Sequence, residues 1–189
     1  MNALAMTHPP FSSAEFHRMA DKGAFSGFRV ELRRGMILKM SPHHRPHARI
    51  KSDIQHTLEG ALAAAGLNWE VLREATVSFG GGFEPMPDIV VFDPEVAGNA
   101  RIVPAVAVRL VVEVADSSLA DDMGEKRDEY AAAGLLEYWV TDVNARTVIR
   151  HADPGDGAVA RQAPPAPLSA ELAMLTRPDV VARFPPAPP

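Results

Sequence analysis

Apolar positions along the chain change between helical and strand-like spacing, which is typical of an α/β protein. Residues 12–15, SSAE, have the spacing of a capping box and predict a short helix. Residues 28–32 and 36–40 have a strand pattern, and Arg34 and Gly35 between them favour a tight turn. A helix followed by a β-hairpin is therefore expected first.

The centre of the sheet is predicted where apolar residues run without interruption. Residues 89–92 and 106–114 are strongly apolar, as expected of strands that are covered on both faces. A helix with one buried face is predicted over residues 50–65 because apolar residues recur there at helical spacing. Shorter strand-like segments lie at 69–72 and 76–79.

The second half of the chain predicts one more helix and two more strands. Residues 116–118, DSS, offer capping oxygens for a helix of about four turns, which Gly134 would end. Residues 137–141 and 147–151 are expected to complete the sheet as a terminal pair of strands.

The 189 residues are enough for one well-buried α/β domain and too few for two ordinary ones. Prolines interrupt the pattern from Ala163 onward, so we expect a loosely packed tail there. The predicted organisation is a domain over residues 12–151 and a Pro-rich C-terminal extension over residues 152–189. No apolar run reaches the length of a membrane span, and the lack of cysteine favours a cytoplasmic location.

Charge is distributed unevenly, although the formal net charge is only -5. Between residues 29 and 51, seven lysine and arginine residues stand against one acid, Glu31. Such a basic segment can mark an anionic partner such as DNA, because the attraction of phosphate depends on the local field. A solvated basic surface without a partner is the alternative, and the sequence leaves both open.

Two acidic residues adjoin the apolar strands and are candidates for a metal site. Asp88 stands directly before one apolar segment, where it could also act as a cap or turn residue. Glu113 lies inside the other, and a buried ionised carboxylate is costly unless a cation or hydrogen-bond donors compensate. Two acids on neighbouring strands suit a hard divalent cation, and Lys126 nearby would complete the groups needed for metal-assisted phosphodiester hydrolysis.

Other candidates have ordinary structural alternatives. Lys126 could belong to an exposed ion pair on a helix surface. Glu31 could be a third metal ligand or the partner in a surface salt bridge within the basic segment. His47 could bind phosphate or orient water, and His43 and His44 raise a weaker alternative, a histidine metal site.

Three longer segments of the sequence resemble those of a known protein family. PDIVVFDPE and RLVVEVADSSLADDMGEKRDEYAAAGLLEYWVTDV together resemble the restriction-endonuclease-like family of the Uma type, a branch of the PD-(D/E)xK nuclease superfamily. FRVELRRGMILKMSPHHRPHARI resembles the early Glu-containing hairpin of that family, its Ser-Pro turn and the histidine at the start of its next helix. The resemblance covers residues 12–151.

The resemblance implies a central mixed β-sheet flanked by helices, with an N-terminal helix and β-hairpin. It implies a divalent-metal site at Asp88 and Glu113, with help from Glu31. The superfamily pattern has a lysine two residues beyond the second acid, where this chain has Ala115. The family resemblance points instead to Lys126, on the following helix, as a relocated lysine.

The expected function is therefore that of a Mg²⁺- or Mn²⁺-dependent endonuclease that hydrolyses DNA phosphodiester bonds. The expected catalytic group is Glu31, Asp88, Glu113 and Lys126. The residues expected to contact DNA are Arg33, Arg34, Arg45, His47 and Arg49. Two alternatives stay open: a catalytically silent binding or scaffold protein on the same fold, and a homodimer with the EYWV strand or its neighbours at the interface.

Overall fold

The computed structural model describes residues 10–40, 45–155 and 158–184. Its helices are α1 (Ser13–Asp21), α2 (Arg45–Ala64), α3 (Pro94–Ala97), α4 (Leu119–Asp122) and α5 (Glu125–Ala132). Its strands are β1 (Val30–Arg33), β2 (Met36–Lys39), β3 (Glu70–Arg73), β4 (Val77–Ser78), β5 (Ile89–Phe92), β6 (Val103–Pro104), β7 (Val108–Ala115), β8 (Glu137–Asp142), β9 (Thr147–Gly155), β10 (Ala158–Gln162), β11 (Ala166–Pro167), β12 (Glu171–Ala173) and β13 (Val181–Arg183). The predicted Ser-Pro turn at Ser41 and the alternative at His43 and His44 lie outside the described residues.

A mixed β-sheet forms the centre of the fold, in the strand order β10-β9-β8-β7-β5-β3. β7 and β8 are parallel, whereas the other neighbours in this order are antiparallel. A parallel pair needs a crossover connection, and the chain makes it through α4 and α5. The predicted mixed central sheet flanked by helices is confirmed.

Both faces of the sheet are covered, because alternate side chains of its central strands enter two separate cores. Ile89 and Val112 pack into the core that includes the apolar face of α2. Val90 and Val111 pack into the core that includes Tyr130 of α5. The uninterrupted apolar sequence of β5 and β7 follows from this arrangement, as predicted.

The predicted N-terminal helix and hairpin are confirmed. The Ser12 side chain accepts a hydrogen bond from the Glu15 backbone, and the Glu15 carboxylate accepts one from the Ser12 backbone, which completes the capping box of α1. β1 and β2 pair through a turn at Arg34 and Gly35, both with positive φ. The hairpin is a separate two-stranded sheet, which reciprocal backbone hydrogen bonds between Leu32 and Glu84 connect to the neighbouring loop.

The helix expected after residue 118 is divided into two. α4 and α5 replace the single helix of about four turns, and Gly124 lies between them. A Cβ at Gly124 would lie 2.7 Å from the carbonyl oxygen of Ala120, so a side chain would not fit here without a shift of the backbone. Gly124 thereby allows the chain to leave α4 and begin α5, which carries Lys126.

The expected loose packing of the C-terminal tail is wrong for the residues up to Phe184. Leu172 and Phe184 are buried in the core beside α2, where β12 and β13 pair. The carboxylate of Glu137 on β8 accepts backbone hydrogen bonds from Leu175 at 2.7 Å and Thr176 at 2.9 Å. Prolines exclude a helix here, but short paired strands bury the segment equally well.

The EYWV segment forms β8, which lies between β7 and β9 in the middle of the sheet. Trp139 and Val140 are fully buried there, so β8 itself offers no surface to a second copy of the chain. The sheet also continues beyond the expected terminal pair, because β9 extends to Gly155 and pairs with β10. Among the described helices, none combines the length and apolar character that crossing a membrane would require.

Candidate functional site

Asp88 and Glu113 lie side by side on adjacent central strands. Ile89 pairs with Val112 in the β5–β7 ladder, and one further step brings Asp88 opposite Glu113. The Asp88 N–H donates to Glu113 Oε2 at 3.3 Å, and the Val114 N–H donates to Asp88 Oδ2 at 2.9 Å. Both carboxylates are buried, and the backbone of the sheet fixes their relative position.

Helix α5 brings Lys126 to the same place. Lys126 Nζ lies 3.0 Å from Glu113 Oε1, and 3.9 Å from both Glu31 Oε2 and Asp122 Oδ1. One turn later on α5, the Tyr130 hydroxyl donates to Glu113 Oε1 at 3.1 Å. The predicted lysine therefore stands beside the second acid, although it comes from a helix and not from the strand.

Two residues of α2 contact the other side of Asp88. His47 Nε2 lies 3.2 Å from Asp88 Oδ2, and Lys51 Nζ lies 3.1 Å from Asp88 Oδ1. Lys51 is buried and also contacts Glu74. The sequence predicted His47 as a DNA contact, whereas its ring lies against Asp88. Sequence reasoning missed Lys51 as a site residue, although its spacing of four residues from His47 on an amphipathic helix was the available signal.

We use the name acid cluster for Glu31, Asp88, Glu113 and Asp122. All four carboxylates are buried, and all four line one open cleft of about 520 Å³. Glu31 enters it from β1 of the hairpin and Asp122 from α4. The carboxylate of Asp122 also accepts from the Ser118 hydroxyl at 2.6 Å. The sequence indicated Asp122 only as a neighbour of Lys126 on one helix face and not as a member of the site.

Negative charge exceeds positive charge around Glu113. Burial raises the pKa of the Glu113 carboxyl; the charge of Lys126 opposes this effect, and the charges of Asp88 and Asp122 add to it. Burial also raises the pKa of Asp122. Burial alone would lower the pKa of Lys126, but the surrounding carboxylates raise it above its ordinary value. The carboxylates around Lys126 thus favour its charged form, whereas burial favours the neutral form of Glu113.

Asp88 has the opposite electrostatic environment. Its burial would raise the pKa, but the hydrogen bond and charge of His47, with the charge of Lys51, lower it below the ordinary aspartate value. The surroundings of Asp88 therefore favour its ionised form, whereas those of Glu113 favour its neutral form. The pKa values of these two adjacent carboxyl groups shift in opposite directions because of their surroundings and not because of the residue types.

The donor set fits a hard divalent cation. Carboxylate oxygens are the ligands that Mg²⁺ and Mn²⁺ prefer, and a cation would neutralise the excess negative charge around Glu113. Within the part of the chain that the structure describes, no group of three histidine or acidic side chains is already placed to coordinate a metal ion. Side chains of the acid cluster would therefore have to rotate toward one another to bind the ion.

A family model described as "Uma2: Putative restriction endonuclease" matches residues 13–182, most of the chain. The chain belongs to the Uma2 family. The matched range extends past residue 151 and includes β12 and most of β13, the segment that packs beside α2.

The fold of this Uma2 protein is also found in a crystal structure described as a "putative nuclease belonging to DUF820 from Anabaena variabilis ATCC 29413". The two structures superpose with a TM-score of 0.69, and the match covers 88% of this chain and 90% of the other. Only 16% of the aligned residues are identical, so the likeness shows that the two proteins share a fold. A search of curated proteins finds no match.

The Uma2 chain does not present Arg33 and Arg34 as a free basic surface. Arg33 is buried, and its guanidinium donates to Asp121 at 2.6 and 3.0 Å and to Glu129 at 2.7 Å. Arg34 is half-exposed and pairs with Glu129 at 2.6 Å and Glu125 at 3.1 Å. Arg33 therefore connects the hairpin to α4 and α5, and its position does not support the predicted contact with DNA.

The other arginines of the basic segment are either paired with an acidic residue or exposed. Arg29 pairs with Glu74 at 2.7 Å, so much of the positive charge expected from the sequence is neutralised by acids from elsewhere in the chain. Arg45 and Arg49 lie exposed in the first turns of α2, and Arg49 has an acidic neighbour, Asp53, at 4.0 Å. These two arginines, with buried His47 between them, are the predicted substrate contacts that the structure places near the cleft end of α2.

Proposed function

We propose that this Uma2 protein is a Mg²⁺- or Mn²⁺-dependent endonuclease that hydrolyses DNA phosphodiester bonds. The observation that carries the proposal is the convergence of Asp88 and Glu113, from adjacent strands, with Lys126, from α5, in one open cleft. Family membership and the nuclease fold support hydrolysis of nucleic acid. The metal requirement and the choice of DNA belong to the proposal.

Asp88 and Glu113 would hold the metal ion, with Glu31 as a further ligand or as the group that orients water. A bound divalent ion lowers the pKa of a water molecule and stabilises negative charge on phosphate oxygens. Lys126, 3.0 Å from Glu113, is placed to donate to the attacking water or to a phosphate oxygen. The water oxygen bonds to phosphorus and its proton passes to Glu31 or solvent. The bond from phosphorus to the ester oxygen breaks, and the leaving oxygen takes a proton from solvent.

The neighbours of the two acids have positioning roles in this proposal. His47 and Lys51 keep Asp88 ionised and fix its carboxylate from the α2 side. The Tyr130 hydroxyl and Lys126 fix the orientation of Glu113. A metal ligand must be deprotonated, so metal binding would favour the ionised form of Glu113, and activity should fall at acid pH.

Cleavage of end-labelled single-stranded and duplex DNA tests the proposal. The parent should cleave DNA with Mn²⁺ or Mg²⁺ and lose this activity with a chelator or after Glu113→Gln. Asp179→Asn is the matched control, because Asp179 is an exposed acid that pairs with Arg177. If the parent binds Mn²⁺ and DNA but cleaves neither substrate, a catalytically silent nucleic-acid-binding protein replaces the proposed endonuclease.

A further inference from the structure

Glu31 is held less directly than the two acids on the central strands. The backbone of adjacent strands fixes Asp88 and Glu113 relative to each other. The contacts of the Glu31 carboxylate are longer, because Oε2 lies 3.5 Å from the Met86 nitrogen and 3.9 Å from Lys126 Nζ. Glu31 also belongs to the hairpin, which is a separate sheet. The place of Glu31 in the cleft therefore depends on what fixes the hairpin.

The relative position of Asp122 and Lys126 depends on a second junction. Asp122 ends α4, Lys126 lies in the first turn of α5, and Gly124 interrupts the helical backbone between them. Gly124 has φ -113° and ψ -108°, outside the helical region. In a continuous helix the backbone would fix the separation of side chains four residues apart, but here it does not. The orientation of α5 relative to α4 therefore depends on tertiary contacts.

Arg33 makes contacts across both junctions. It follows Glu31 by two residues on β1, so the two side chains project from the same face of the hairpin. Its guanidinium donates to both carboxylate oxygens of Asp121 on α4, at 2.6 and 3.0 Å, and to Glu129 Oε2 on α5, at 2.7 Å. A planar guanidinium that is paired in this way fixes orientation as well as distance. We use the name Arg33 clamp for these contacts with Asp121 and Glu129.

We propose that Arg33 is a positioning residue of the site, because the Arg33 clamp joins α4 to α5 across Gly124 and connects both helices to the hairpin. The clamp thereby keeps Glu31 and Lys126 together beside Glu113. This inference rests on the proposed endonuclease function and adds a residue that acts on the site through its neighbours. Without the clamp, the acid on the hairpin and the ammonium group on α5 would shift, whereas the two acids on the strands would stay in place.

Hydrogen exchange measured by mass spectrometry tests the clamp independently of cleavage. Arg33→Lys keeps the positive charge but loses the planar group that reaches both helices. Amides of residues 119–132 should exchange at least about fivefold faster in this variant, because the segment opens locally more often. Amides of α2, which packs on the other face of the sheet, should exchange at the parental rate. Arg183→Lys is the matched control, since Arg183 is exposed, pairs with Glu171 and lies outside the cleft lining.

Steady-state cleavage of DNA tests whether the clamp positions the site. At a temperature where circular dichroism shows each protein folded, Arg33→Lys should lower kcat at least about tenfold, since a displacement of about 1 Å can cost about 100-fold. KM and the salt dependence of DNA binding should stay parental, because the guanidinium pairs with carboxylates. Glu129→Gln, outside the cleft lining, should show the same pattern to a smaller degree and serves as the test if Arg33→Lys does not fold.

Faster exchange in α2 as well as in residues 119–132 would overturn the inference, because the effect would then be a general loss of stability. A parental kcat in both Arg33→Lys and Glu129→Gln would remove the positioning role. A raised KM with a flatter salt dependence would also contradict it, since Arg33 would then contact phosphate. Absence of cleavage by the parent refutes the proposed function. The clamp then stands if exchange in residues 119–132 responds as expected, and it falls if that exchange is parental.

Discussion

Lys126 Nζ lies 3.0 Å from Glu113 Oε1, although Lys126 belongs to α5 and Glu113 to β7. A lysine on the strand itself would stand at the position of Ala115, which is buried in an apolar core. The crossover between β7 and β8 therefore supplies the ammonium group from a helix. Packing of α5 against β7, and not spacing along the strand, brings the lysine next to the acid.

Replacement of Lys126 by alanine should abolish metal-dependent DNA cleavage while Mn²⁺ binding persists, because an ammonium group is not a metal ligand. The metal-free variant should also lose about 1–3 kcal/mol in the free energy of unfolding, since the buried carboxyl group of Glu113 loses a hydrogen-bond donor. Urea unfolding, calorimetric Mn²⁺ titration and cleavage measure these effects. Arg127→Ala, at the next position of α5, is the control. Cleavage by Lys126→Ala at the parental rate would remove Lys126 from the mechanism.

The stability of the metal-free protein should depend on pH through Glu113. Burial, the largest cause, raises its pKa in the folded state, so folding is favoured by its protonated form. This contribution is complete below the ordinary glutamate pKa of 4.5 and is lost as the pH rises through the raised pKa. Glutamine cannot lose that proton, so Glu113→Gln should gain stability relative to the parent as the pH rises.

Unfolding free energies in chelator between about pH 5 and about pH 9 measure this difference. Asp88→Asn is the control, because the pKa of Asp88 is lowered and the profile of this variant over the measured range should run parallel to that of the parent. Its contribution is present above the ordinary aspartate pKa of 3.8 and is lost as the pH falls through the lowered value. A parent and a Glu113→Gln variant with parallel pH profiles would show that Glu113 is ionised throughout.

Arg33 should matter for stability. Its guanidinium joins β1 to Asp121 and Glu129, so Arg33→Ala leaves these acids without their partner. We expect a loss of about 2–4 kcal/mol, somewhat below the range for a fully buried pair because Asp121 is partly exposed. Arg34→Ala, at a half-exposed side chain, should cost less than about 1 kcal/mol. Equal urea midpoints for the two variants would contradict this assignment.

The salt dependence of DNA binding should identify the arginines that contact phosphate. If Arg45 and Arg49 each contact one, Arg45→Ala with Arg49→Ala should reduce the slope of log affinity against log salt by about 0.7 per contact for a single strand and about 0.9 for a duplex. Arg34→Ala is the control and should leave the slope unchanged, since Glu125 and Glu129 already pair with it. An unchanged slope in the double variant would exclude this part of α2 from the interface.

The elements and the two principal acids were predictable because their signals are local. Apolar runs locate β5 and β7, and the positions of Asp88 and Glu113 beside or within them indicate compensated charges. Arg34 and Gly35 locate the hairpin turn because both adopt positive φ. These features depend on residues close together in sequence, and a single chain contains that information.

The features that the sequence did not predict depend on contacts between segments that are distant along the chain. The basic segment looked like a phosphate-binding surface, but Asp121 and Glu129, far along the chain, neutralise Arg33. Lys51 reaches Asp88 only because α2 packs over the sheet. The tail was expected to be loose because prolines exclude helices, yet Leu172 is buried through strand pairing. Charge pairing and burial of this kind do not follow from local pattern.

The position of a bound Mn²⁺ ion tests the central claim most directly. Anomalous scattering from crystals soaked in Mn²⁺ locates the ion without reference to activity. We predict one peak within bonding distance of carboxylate oxygens of both Asp88 and Glu113, with Lys126 Nζ moved away from Glu113 Oε1. At a Mn²⁺ concentration that supports cleavage, a peak elsewhere, or no peak at these two carboxylates, would contradict the proposed metal site.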